Sequence, residues 1–255
     1  MRRLRLALLA LLVVLLAGAC RVRTEVGVQV NGDGSGQVSI TVTIDADGVK
    51  LGGDAVTKPQ FDDLTKAGWV VTQSPGTDGS ITFVATKKFA NPTEADEVFK
   101  EIAGSPFRDF HVTQSRSFAK TTTSFTGTVD FANGIESFAD KGLSDALDGQ
   151  PLGDAKSTIE ARIGDSLDNV FSFRVAVRLP GDVTSNAPGQ ASNGAVWEPK
   201  LSESAPVPLE AKGKSFRTTT LIFTAVAIAA LLGIFVLLIV RLAILSTRRR
   251  GAHAA

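Results

Sequence analysis

The stretch Phe171-Ser-Phe-Arg-Val-Ala-Val-Arg-Leu179 is followed at once by Pro180-Gly181. Phe171, Phe173, Val175, Val177 and Leu179 fall on one parity, with Ser172, Arg174, Ala176 and Arg178 on the other. A period of two with one apolar set predicts a strand that buries one face, and Pro-Gly predicts its end. Upstream, Val22, Val26, Val28 and Val30 keep mostly even spacing, and Val38, Ile40, Val42 and Ile44 alternate with Ser39, Thr41 and Thr43. Asn31-Gly-Asp-Gly-Ser-Gly36 lies between them, so the pair predicts a hairpin.

The chain then mixes helices with further strands. Thr57-Lys-Pro-Gln60 matches a capping box opening onto Phe61 and Leu64, with Gly68 as the stop. Asn91-Pro-Thr-Glu94 is a stronger start, and Ala95, Val98, Phe99 and Ile102 then mark one helical face. Strands are predicted at Trp69–Gln73 and Ile81–Phe89, and on either side of a threonine-rich turn near Lys120–Thr123. A helix over Ile135–Leu147, a short strand at Ile159–Ile163 and a returning strand around Val196–Pro199 complete the pattern. Asp33 and Asp45-Ala-Asp47-Gly48 only faintly resemble calcium loops and read as solvated turns. The fold class predicted is α+β: a curved, mostly antiparallel sheet with helices packed on one face, plus one C-terminal transmembrane helix.

Both ends of the chain address a membrane. Arg2, Arg3 and Arg5 precede an apolar run from Leu6 to Leu16, then Ala17-Gly18-Ala19-Cys20. That order predicts an export signal over 1–19, the apolar run falling short of the roughly 20 residues that span a bilayer. Leu16-Ala17-Gly18-Ala19-Cys20 fits a lipobox, with Ala17 where Leu is usual. Ordinary cleavage after Ala19 is the rival reading, and the single cysteine of the chain favours lipidation at Cys20. Leu221–Val240 holds twenty residues without a charge, long enough as a helix to cross roughly 30 Å of hydrocarbon. Arg241, Arg248, Arg249 and Arg250 follow it and predict a cytoplasmic end. The expected organisation is a signal (1–19), an extracytoplasmic domain (20–201), a Pro-containing stalk (202–217), a transmembrane helix (218–245) and a cytoplasmic tail (246–255).

Charge narrows the function. Of 27 basic residues, three lie in the first five positions and five from Arg217 onward, while all 26 acidic residues lie between. The middle is therefore net −7 and a poor partner for phosphate backbones, so no nucleic acid is expected. One cysteine precludes an internal disulfide, and with two histidines a thiolate or histidine zinc site has too few ligands; no metal or cofactor is predicted. His111 reads as a strand residue rather than a base, and the acidic pairs Asp62-Asp63 and Asp165/Asp168 as solvated positions. No G-x-S-x-G, Walker A or H-E-x-x-H motif is present, so no catalytic residue is assigned.

The lipobox at Cys20, the hairpin Val28-Gln-Val-Asn-Gly-Asp-Gly-Ser-Gly36, the strand ending Leu179-Pro180-Gly181, Trp197 and the C-terminal span with its arginines resemble, in that order, the LppM-type lipoproteins of actinobacteria. The resemblance implies an envelope lipoprotein whose outside domain is associated with glycolipid binding, and it carries over no ligand-contacting residue. Fifteen Phe and no Tyr suit an apolar core or an acyl-chain pocket. The expectation is non-catalytic binding of an envelope lipid or glycolipid, with the membrane itself as the other partner. A protein-docking module and an envelope hydrolase are the alternatives.

Overall fold

The computed structural model describes residues 21–57, 59, 61–102, 106–132, 166–191, 194–216, 223 and 226–237. The signal, Cys20, the expected helix at 135–147, the expected strand at 159–163 and the tail lie outside these residues. The chain divides into two compact units, one of residues 1–115 with 122–215 and one of residues 116–121 with 216–255.

The hairpin is present as β1 (Val22–Val30) and β2 (Gly36–Ile44), paired antiparallel from Val22↔Ile44 to Val30↔Gly36. Asn31 N donates to Ser35 O at 2.7 Å, and Asp33 Oδ1 accepts from Ser35 N at 3.0 Å. Asp33 therefore organises a turn, as its sequence setting predicted. The expected turn at Asp45 is instead a helix start. Asp45 Oδ1 accepts from Gly48 N at 2.8 Å and opens α1 (Ala46–Thr57), two helical segments joined across Gly53 at φ 49°. The side chain of Thr57 donates back to Gly53 O at 3.0 Å, so Thr57 ends α1 rather than capping a new helix. The next helix, α2 (Asp62–Lys66), begins after Phe61 with no side-chain cap.

After β3 (Val70–Pro75) and β4 (Ile81–Phe89) comes α3 (Pro92–Ile102). Its predicted cap is formed: Asn91 Oδ1 accepts from Glu94 N at 3.0 Å, and Glu94 Oε2 reaches back to accept from Ala90 N, the residue before the cap. Ala95, Val98 and Phe99 are buried, as the helical spacing required. The next strands are β5 (Phe107–Arg116) and β6 (Lys120–Val129). The threonine-rich segment lies within β6, and Thr121 and Thr123 are buried; β-branched residues favour the strand. The turn is Ser117–Ala119 instead.

A short helix α4 (Leu167–Val170) leads into β7 (Phe171–Arg178), the quoted strand. Gly181, at φ +82°, follows it, and a Cβ there would lie 2.0 Å from Lys214 O. β8 (Asp182–Ser185), β9 (Gly189–Ala191), β10 (Gly194–Trp197) and β11 (Val207–Phe216) complete the strands. Residues 207–216, expected in a polar stalk, are thus a sheet strand. Leu209, Ala211 and Gly213 are buried in alternation with exposed Glu210, Lys212 and Lys214, a period that Pro206 and Pro208 obscure in the sequence.

The architecture is α+β, with two sheets where one was expected. The larger runs β3-β4-β2-β1-β7-β10-β9 and the smaller β5-β6-β11-β8. The larger sheet is mixed, because β7 pairs parallel to β1 from Val22↔Phe171 to Gln29↔Arg178. One buried cluster draws on both sheets, including Val28, Val38 and Val177 from the larger and Phe125, Val129 and Leu209 from the smaller. Asn186 is a polar tie between them: its Oδ1 accepts from Trp197 Nε1 on β10 and from Glu210 N on β11, each at 3.0 Å. Among the described residues no helix is long and apolar enough to cross a membrane. Residue 223 and the helical segment 226–237 are described, and the rest of the predicted span lies outside the described residues.

Phe125 is fully buried against Phe99 and Phe110, whereas Phe118 is 66% exposed. Phe125→Ala should cost about 3–5 kcal/mol in urea denaturation. Phe118→Ala should stay within about 0.5 kcal/mol of the parent.

Candidate functional site

The residues expected to carry chemistry are dispersed. Cys20 and Asp165 lie outside the described residues. Asp62 and Asp63 sit in the first turn of α2, where carboxylates favour the positive end of a helix. Asp168 accepts from Ser202 N at 3.1 Å and fastens a loop. Both tryptophans are buried: Trp69 donates to Glu101 Oε2 at 2.9 Å, and Trp197 donates to Asn186. Among the described residues no group of three or more His, Cys, Asp or Glu is placed to hold a metal ion.

His111 meets a carboxylate of a neighbouring element. Its Nδ1 lies 2.7 Å from Asp96 Oδ1 on α3, and a carboxylate can only accept, so the imidazole N–H donates. This pair stands at the rim of a cleft between α3 and β5 with a volume of about 460 Å³. Phe99, Ile102, Phe107 and Phe110 give it an apolar wall, and Asp96, Lys100, Asp109 and His111 surround that wall with polar groups. Lys100 pairs with Glu97 at 2.7 Å, which holds its ammonium above the usual lysine range.

The apolar wall depends on one backbone irregularity. Phe107 and Phe110 are three residues apart, so a regular strand would send them to opposite faces. Asp109 has φ 57°, the left-handed region that short polar side chains tolerate. Arg108 and Asp109 are consecutive exposed residues, and the alternation shifts there, in the manner of a bulge. Phe107 and Phe110 therefore share a side, their ring centroids 6.1 Å apart and edge to face. Phe110 also meets Phe99 of α3 at 5.9 Å. On β6, Gly127 leaves room for this ring: a Cβ there would lie 2.5 Å from Phe110 Cδ1.

The sequence places His111 in a strand with no site role and assigns neither Asp96 as its partner nor the wall. Asp96, Phe99 and Lys100 share a helical face at i, i+3 and i+4, a signal adjoining the core stripe that was read. The turn at Asp109 has no comparable signature in Arg108-Asp109-Phe110. Of the other Phe, Phe89, Phe125, Phe131 and Phe171 are buried in the core.

Asp109→Val should destabilise the fold by about 1–3 kcal/mol, because a β-branched residue disfavours φ near +57°. Asp109→Gly should hold stability near the parent, since glycine adopts that φ freely. Thermal melts of the two variants beside the parent measure the difference.

No family model matches the chain, and no curated protein matches it. Among solved structures, the NMR structure of the folded domain of Mycobacterium tuberculosis LppM matches 78% of this chain and 92% of that one. Sequence identity is 12% and the TM-score 0.41, values at which the match assigns neither family nor function.

Proposed function

We propose that this is a membrane-held extracytoplasmic lipoprotein that binds the acyl part of an envelope lipid or glycolipid, without catalysis, in the cleft between α3 and β5. The observation that carries the reading is the cleft itself, where Phe99, Ile102, Phe107 and Phe110 line about 460 Å³ below a polar rim. An apolar wall with a few convergent polar groups suits a chain with a head group. Around a bound lipid, the rings would cover methylenes, and Asp96, Asp109, Lys100 and His111 would face the head group.

The energetics agree with a weak site made effective by tethering. About eight buried methylenes contribute roughly 6 kcal/mol gross, a Kd of tens of micromolar that ordering costs weaken further. Attachment at Cys20 and through 218–245 would keep the domain beside its ligand and raise the effective concentration. Support for the second anchor comes from the helical segment 226–237, where Val226, Leu231, Phe235 and Leu237 are 61–69% exposed. A hydrolytic reading has the His111–Asp96 pair in its favour, but none of the described residues lining the cleft is Ser, Thr or Cys. The rim is therefore assigned to binding.

Metabolic labelling with a fatty-acid analogue should tag the parent and not Cys20→Ala, while both remain in membranes. Equal labelling would leave ordinary cleavage after Ala19 as the better reading. For the cleft, a photoreactive fatty acid should crosslink to α3 and β5 of the full chain. Ile102→Asp, which puts a charge on the apolar wall, should lower that labelling about tenfold or more. Undiminished labelling, or crosslinks confined to other elements, would remove the acyl-chain assignment.

A further inference from the structure

We infer that the tip of the β5–β6 hairpin, residues 116–121, is a separate contact with the bilayer, with Phe118 entering the interface of an anionic lipid surface. The inference rests on the membrane-held reading and extends it from the anchors to a named loop of the folded chain.

The turn is tight and presents its residues outward. Ser117 N and Ser117 Oγ both donate to Lys120 O, at 2.8 and 3.1 Å. Closing the turn through this one carbonyl leaves Phe118 as the outermost apolar side chain, 66% exposed. The other phenylalanines of the two strands, Phe107, Phe110 and Phe125, are buried or half-buried. A single exposed phenylalanine is ordinary on a protein surface. Its company here is what points to lipid.

Residues 116–121 belong to the same compact unit as Phe216 and the described helical segment 226–237. Phe216 is 67% exposed, and in the helical segment 226–237 the large apolar side chains are 53–69% exposed. This unit thus brings together the hairpin tip, the point where β11 ends and the segment read as the membrane anchor. Its apolar groups have a solvent for which they are suited only if that solvent is lipid.

Charge fits the same partner. The outside domain is net −7, yet residues 110–129 and 211–216 contain no Asp or Glu. Those stretches hold Arg116, Lys120, Lys212 and Lys214. Basic side chains flanking an aromatic one can reach toward head groups while the ring rests at the acyl boundary. A bilayer interface requires no groove at the tip.

The test uses the full mature chain with Phe118→Trp, reconstituted into phosphatidylcholine–phosphatidylglycerol vesicles with and without brominated acyl chains. Trp69 and Trp197 are 3% and 2% exposed, so the parent supplies a buried background to subtract. The F118W emission should shift to the blue and fall about twofold on bromination, as expected for a ring at the interface. Adding R116Q and K120Q should weaken the tip's hold on the anionic vesicles about fivefold per basic residue removed, and so reduce the quenching. A chain that floats with the vesicles but leaves the F118W emission unquenched overturns the tip contact alone. A chain that does not float overturns the anchor reading and the tip contact with it.

Discussion

The parallel pairing of β1 with β7 is the constraint on which the remaining architecture depends. β1 has a partner along each edge: β2, joined by a five-residue turn, and β7, which begins 141 positions after β1 and aligns Val22 with Phe171. Both strands bury alternate residues, Val26, Val28, Val175 and Val177 among them, so a slip of one residue would turn every one of these to the wrong face. Once β7 is placed, β10 pairs on its far side and β9 on β10. The chain is also delivered through Pro180-Gly181 to β8, the edge of the smaller sheet.

Helix α3 connects the two sheets in packing terms. It contacts β2 and β4 of the larger sheet, and the ring of Phe99 meets Phe110 and Phe125 of the smaller. Lys87 on β4 and Trp69 before β3 both bond Glu101 of the same helix, fixing its C-terminal half. The cleft lies where this helix meets β5, whose alternation is interrupted at Asp109. Its chemistry follows from that position: the core stripe of α3 supplies Phe99 and Ile102, and the adjoining stripe supplies Asp96 and Lys100. Apolar wall and polar rim are two neighbouring faces of a single helix closed over by β5.

The distribution of charge separates two kinds of surface. Acidic residues are confined to the middle of the chain, while the strands leading to the hairpin tip and to Phe216 carry basic residues only, between Phe110 and Val129 and after Glu210. An outside domain that is net acidic would be held away from an anionic bilayer except where its basic groups lead, so under the proposed membrane contact such a distribution would orient it.

Local signals were legible in the sequence by itself. The β1–β2 hairpin, β4, the Asn91 cap with the buried face of α3, and β7 are each specified by a period or a cap within some twenty neighbouring residues. Charge composition is likewise read directly from the sequence. What only tertiary structure decided was non-local or conformational. The parallel partner of β1 depends on contacts between residues more than a hundred positions apart, and the smaller sheet on the non-local pairing of β6 with β11. Residues 207–216 became a strand because β6 and β8 offered their edges, a context that outweighed the stalk-like reading of Pro206 and Pro208. His111 gained Asp96 as a partner through the docking of α3 on β5. The cleft needed one residue, Asp109, to enter the left-handed region, and a backbone angle leaves no periodic trace in sequence.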